Sequence, residues 1–329
     1  MSKPNGDTTY ATHRLMMIRY PYAVTRYAYL GPSGTFTEAA LRTVATSSDS
    51  LVPYANVTAA LDAVRSGEAE KALVPIENSV EGVVARTLDE LAIGEPLVIY
   101  GEVTLPVTFA LLVAKGKKDA VIRKIATHPH AEAQCRAYIA KNHPSAEIIN
   151  ASSTAAAAAA LGKGEFDAAI ASPNAAETYG LEVLATNIGD NDGAVTRFVI
   201  VGKPGLVPKA TGHDRTSLAA FIGVDHAGAL LEVLTEFAVR GVNLTFIQSR
   251  PTGRELGHYH FIIDAEGHVS EQRVGDALTG LRRICEDVRY LGSYPRADKV
   301  APTTTKASTD ESFIAADTWL SEVRAGKKI

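Results

Sequence analysis

Between Tyr27 and Gly202, short runs of β-branched and aliphatic residues alternate with segments of helical periodicity, and this alternation constrains the fold more than any other feature of the chain. Strands joined through helices return in parallel, so the pattern specifies an α/β domain. Strand candidates fall at 27–30, 72–75, 97–100, 107–113, 125–127, 147–150, 168–171 and 195–201. Helices are expected at 37–44, 58–65, 83–91, 131–140 and 154–161. One echo runs through the pattern: VTAALDAVRSGEAEKALV (57–74) resembles TAAAAAALGKGEFDAAIA (154–171). Either two similar units make two lobes with a cleft between them, or two alanine-rich helices share only composition.

A Pro- and Gly-rich stretch, 204–215, reads as a linker closing a domain over 27–203. Beyond it, 216–295 carries a βαββαβ pattern: a strand at 217–224, a helix with Leu230, Val233, Leu234 and Phe237 on one face, and strands at 242–249 and 259–263. A helix with Val274, Leu278, Leu281 and Cys285 on one face and a strand at 288–291 complete it. Gly241 stands where the first of these helices should stop. The tail, 296–329, is expected to be mobile apart from an amphipathic turn near 313–323. Residues 1–26 read as an unstructured extension, or as sequence upstream of a start at Met16 or Met17.

With 46% hydrophobic residues in 329, the chain has apolar material for two domains. A formal net charge of −4 argues against a nucleic-acid or acidic-membrane partner. Two cysteines, Cys135 and Cys285, in separate segments suggest a reducing compartment without a disulfide framework. With no apolar run of membrane-spanning length, the expected location is the cytoplasm.

Several stretches carry chemical content. In GPSGTFTEAAL (31–41), Thr35 and Glu38 have capping-box spacing, and the glycines before the helix make either a simple cap or an anion site. In VPIENSVEG (74–82) a buried strand ends in Glu77, Asn78 and Ser79, at the end of a strand where α/β sheets bind ligands or where a helix is capped. THPHAEAQC (127–135) holds His128 and His130, but no third ligand stands at metal spacing. Pro129 instead starts a helix whose first turns carry Gln134, and Cys135 is read as a small buried residue. GAVTRFVIVG (193–202) opens a strand with Thr196 and Arg197, either a solvated edge or a ligand-facing pair. GALLEVL (228–234) and FIQSRP (246–251) place Gly228 at a helix start and Ser249-Arg250-Pro251 at a strand end, where they bind a small ligand or terminate an edge strand.

GTFTEAAL, VPIENSVEG, HPHAEAQC, STAAA, TRF, GALL and SRP follow one another in the order found in prephenate dehydratases, and the chain resembles that family over about 27–295. The resemblance implies a two-lobed catalytic domain like type II periplasmic binding proteins, followed by an ACT regulatory domain. It implies decarboxylation and dehydration of prephenate to phenylpyruvate without metal or cofactor, under feedback by L-phenylalanine, in a homodimer or homotetramer. Thr196 is the catalytic residue so implied. Thr35, Asn78, Ser79, Gln134, Ser153, Thr154 and Arg197 are the implied substrate contacts, Arg197 being equally readable as half of a structural ion pair. Gly228, Ala229, Leu230 and Leu231, with Gln248, Ser249, Arg250 and Pro251, are the implied phenylalanine site. The sequence departs from common family patterns at Ala194-Val195, where an asparagine often stands, at His130 for glutamine, and at Gln248 for glutamate. Arogenate in place of prephenate is a close alternative, and a non-enzymatic two-lobed ligand sensor a distant one.

Overall fold

The computed structural model describes residues 24–223, 226–253 and 259–327. The expectations for 1–23, including a start at Met16 or Met17, and the placement of Val224 in a strand lie outside the described residues. The first lobe begins with β1 (Arg26–Leu30), α1 (Phe36–Val44), β2 (Ser50–Tyr54), α2 (Val57–Ser66), β3 (Lys71–Asn78), the short β4 (Gly82–Val83), α3 (Ala85–Ile93) and β5 (Val98–Pro106). The chain then crosses to a second lobe of β6 (Ala110–Val113), β7 (Lys124–Thr127), α4 (Pro129–Gln134), α5 (Arg136–Asn142), β8 (Glu147–Asn150), α6 (Thr154–Gly162), β9 (Ala168–Ala171), α7 (Pro173–Tyr179) and β10 (Glu182–Ala185). It returns to the first lobe as β11 (Val195–Gly202).

The sheets run in the orders β2-β1-β3-β11-β5 and β10-β6-β9-β7-β8. Read from opposite ends they match: three parallel strands, then two antiparallel ones. The echoed segments are α2–β3 and α6–β9, at the same station of each lobe, so a repeated unit and not composition alone underlies them. In each unit a side-chain cap starts the helix: Asn56 accepts from the Ala59 amide and Ser153 from that of Ala156. The two lobe-crossing segments lie side by side, the Val107 amide donating to the Ala194 carbonyl at 2.7 Å.

A third sheet, β13-β14-β12-β15, is built from β12 (Asp214–Phe221), β13 (Leu244–Pro251), β14 (Tyr259–Glu266) and β15 (Asp287–Pro295), with α8 (Ala229–Ala238) and α9 (Gln272–Ile284) on one face. The βαββαβ order is as expected, but β12 begins at Asp214, inside the stretch read as linker. Asp214 accepts from the Thr211 and Gly212 amides, which ends the loop there. The other face of this sheet packs on the first lobe. Ala219, Ile262, Leu291 and Tyr294 share one core with Val74, Leu88, Leu91, Ile99 and Val199. Gly292, at φ 137°, lets β15 close on β5: a Cβ there would drive into the Ile99 carbonyl.

Two expectations are corrected. The helix expected over 131–140 is two, α4 and α5, parted at Cys135, whose φ of −121° breaks the helical path. The tail is not an isolated turn. A 3-10 turn (Lys306–Ser308) leads into α10 (Asp310–Arg324), capped by Thr309 and fixed to α9 where Asp310 accepts from the Gln272 amide.

Candidate active site

The cleft between the lobes holds a cavity of about 260 Å³, lined by Phe36, Asn78, Val107, Phe109, His128, His130, Ala131, Gln134, Ser152, Ser153, Thr154 and Thr196. A larger hollow, about 390 Å³, lies away from the cleft beside Val121, Ile122, His143 and Leu184, and none of the sequence-derived site residues lines it.

Thr196 reaches the cavity from β11, paired in register with Asn78 at the end of β3. The Asn78 side chain is fully specified. Its Oδ1 accepts from the Val80 and Glu81 amides at 2.8 and 2.9 Å, so its Nδ2 donates to Thr196 Oγ1 at 2.8 Å. With one lone pair so occupied, the threonine hydroxyl keeps its proton to donate elsewhere.

The opposite wall comes from the second lobe. Ser153 caps α6 with its side chain, and Thr154, whose amide in the first turn has no intrahelical acceptor, lines the cavity. His128 caps α4, its Nδ1 accepting from the His130 amide at 3.3 Å, which leaves the ring proton on Nε2. Burial, and then the neighbouring His130, lower the His128 pKa below its ordinary value, so the ring is neutral at neutral pH. Gln134 Nε2 donates to Glu81 Oε1 at 2.8 Å, and His130 Nδ1 stands 3.3 Å from Glu81 Oε2. Glu81, from the first lobe, thus joins the lobes across the cleft. The sequence reading passed over it, although it lies three residues beyond Asn78.

The remaining candidates are placed elsewhere. Thr35 caps α1, accepting from the Glu38 amide and donating to the Leu30 carbonyl. Glu38 closes the turn on the Gly34 amide instead of that of Thr35, and Phe36 is the residue that reaches the cavity. Ser79 Oγ accepts from the Val195 amide at 2.9 Å, extending the strand pairing. Of the two readings of Arg197, substrate contact or structural ion pair, the structure shows the ion pair. Its side chain is buried away from the cavity: Nε donates to Glu77 at 3.2 Å, Nη1 to Glu102 at 3.3 Å, and Nη2 lies 2.8 Å from Asp264 Oδ2, an ion pair not aligned as a hydrogen bond. Burial alone would lower its pKa, but Asp264, Tyr294, Glu102 and Glu77 hold it above the ordinary value. Cys135 is buried, its thiol pushed up to about 12 by burial and then by Asp190, which makes it a poor nucleophile. Among the described residues, no three histidine, cysteine or acidic side chains are placed to hold a metal, and no helix is long and apolar enough to cross a membrane.

In the βαββαβ unit, Gly228 caps α8 at φ 96° with open space where a Cβ would stand. Ala229 is buried, while Leu230 and Leu231 face outward. Along β13 alternate residues divide: Phe246, Gln248 and Arg250 are the more covered ones, Ile247, Ser249 and Pro251 the exposed ones. Gln248 donates to the Ser249 carbonyl. Arg250 makes a bidentate pair with Asp89 of α3, at 2.9 and 2.7 Å, so its guanidinium is engaged by the first lobe.

Residues 27–205 match the prephenate dehydratase family and 219–283 the ACT domain family. The prephenate dehydratase of Amycolatopsis methanolica is 50% identical over 306 residues, 93% of this chain and 100% of that one. That of Mycobacterium leprae is 48% identical over 315 residues, covering 93% and 96%. The crystal structure of an Arthrobacter aurescens prephenate dehydratase in complex with L-Phe superposes with a TM-score of 0.85 at 47% identity, covering 91% of this chain and 99% of that one. This chain belongs to the prephenate dehydratase family, with an ACT domain behind its two lobes.

Proposed function

We propose that the protein converts prephenate to phenylpyruvate in the interlobe cleft, with L-phenylalanine acting as a feedback inhibitor through the ACT domain. The observation that carries the chemistry is the Asn78–Thr196 pair, which leaves a preorganised hydroxyl proton pointing to a substrate. Prephenate carries two carboxylates and a ring hydroxyl at C4. The bond from C1 to its carboxylate breaks, releasing CO2, and its electron pair enters the ring. The C4–O bond breaks, and the oxygen leaves with its pair to become water after taking up a proton. Aromatisation drives both losses, so the protein need only bind, orient and stabilise the departing oxygen. Thr196 donates its hydrogen bond to that oxygen. The α6 N-terminus, Ser153, Gln134 and the neutral His128 offer donors to carboxylates, and Phe36 and Phe109 bound the ring.

For the effector, the open space at Gly228 and the exposed Ser249 suit an amino acid held at the edge of the ACT sheet. The outward Leu230, Leu231 and Ile247 favour a homodimer or homotetramer through that surface. Reaction without an added cofactor and a cytoplasmic location complete this reading. The test is incubation of the purified, chelator-dialysed protein with prephenate and with arogenate, with and without L-phenylalanine. Phenylpyruvate formation that phenylalanine suppresses non-competitively is the expected result. Turnover of arogenate alone would reassign the substrate, and binding without turnover would make the chain a sensor.

A further inference from the structure

The two residues that open β11 face different parts of the molecule. Thr196 lines the cavity, while Arg197, the next residue, enters a buried cluster shared with the ACT domain. Glu102 of β5 lies between two guanidiniums in that cluster, accepting from Arg197 and, at 2.6 Å, from Arg215 of β12. It also takes the Ala297 amide at 2.9 Å. Asp264 of β14 is itself fixed: Ser217 donates to its Oδ1 at 2.6 Å and meets the Tyr294 hydroxyl at 2.7 Å. The Arg197 guanidinium also lies 5.7 Å from the ring centre of Phe246 on β13. Phe246 and Asp264 oppose each other across the β13–β14 pairing, two residues from Gln248.

The cluster sits beside an irregularity in the pairing of β11 with β3. Thr196 opposes Asn78 and Arg197 opposes Glu77, but Phe198 opposes Pro75, so the register slips at Ile76. Pro75 has no amide to give the ladder, which is why the bulge falls there. Bulges re-aim the side chains next to them, and this one falls between Arg197 and Phe198, with Thr196 one residue beyond. Arg197 anchors β11 at this irregularity, and one of its three acids belongs to the ACT domain.

We propose that Asp264 is a positioning residue for the reaction in the cleft: by holding Arg197 it sets, one peptide unit away, the direction of the Thr196 hydroxyl. Full turnover then depends on the ACT sheet being docked on β11, and a shift of β14 reaches the cleft by this route. The inference rests on the reading of Thr196 given above. Its test is Asp264→Asn, made alone and on Thr196→Val, with thermal midpoints recorded for each. Alone, kcat should fall about tenfold, with KM within about twofold. On Thr196→Val, where there is no hydroxyl to misdirect, the further loss should be below about twofold. An equal loss in both backgrounds, a change in KM only, or no loss overturns the proposal. If Asp264→Asn does not fold, Arg197→Lys, which keeps the charge and loses the fork, is read in the same two backgrounds by the same criterion. Failure of the cycle alone leaves the Thr196 reading intact. A wild-type protein inert toward prephenate, or a fully active Thr196→Val, removes that reading and this inference together.

Discussion

The two lobes share one topology but differ at its fourth strand. In the first lobe that strand is β11, VTRFVIVG, and in the second it is β6, the apolar four-residue ALLV. Both are central and antiparallel to their inner neighbour, β3 and β9 respectively. Only β11 carries a hydroxyl to the cleft on one side and a cation to another domain on the other. The second lobe contributes helix starts instead, at His128 and Ser153. On the proposed function, equal folds are given unequal work: one lobe acts on the ligand, the other holds it.

That division is open to test. The largest expected effect is at the acting lobe: Thr196→Val should lower kcat by about 10²–10³ with little change in KM, as for loss of one preorganised donor. Steady-state kinetics on the folded variant check this, and a rise in KM alone would move Thr196 to the holding side. Thr154→Val, isosteric and at the first turn of α6, should raise KM about five- to tenfold and leave kcat within about threefold. A dominant fall in kcat there would dissolve the contrast. The smallest effect concerns the domain docked behind the first lobe. His260 is buried on β14 with neither ring nitrogen hydrogen-bonded, stacked on Phe221 at 5.0 Å. Burial, and then Arg250 and Arg289 against the opposing Asp89, place its pKa below the ordinary 6.5. The unfolded chain therefore binds more protons below that value, so the stability contribution is full above pH 6.5 and is lost as pH falls. His260→Phe should show a smaller drop in thermal midpoint between pH 7.5 and 5.5 than the wild type. An unchanged drop would assign the acid sensitivity elsewhere, His128 being another histidine shifted in this direction.

The alternation of strands and helices was legible because period and punctuation are local properties, as was the βαββαβ unit. β2 and β10 escaped notice: SLVPY is interrupted by proline and EVLA is only four residues long. Asn78, Thr196, Gln134, Ser153 and Thr154, which the resemblance pointed to, do line one cavity. Arg197 was left between two readings because alternation along a strand sends neighbours to opposite faces, and a partner of the second face lies in another domain. Asp264 gave only a faint signal, an acid inside the buried run FIIDAE; its meaning depends on a contact with residue 197 that no local pattern encodes.

The bond between Val107 and Ala194 has a mechanical consequence. Both crossings between the lobes pass this tie, so a parting of the lobes would bend the two segments together. Thr196 pairs with Leu105 only two residues from that tie. A parting of the lobes about this tie would carry His128, Gln134 and Ser153 farther than the Thr196 hydroxyl. On the proposed function, the donor would then keep its place while the ligand-holding wall moves, and the chemistry would lie at the pivot.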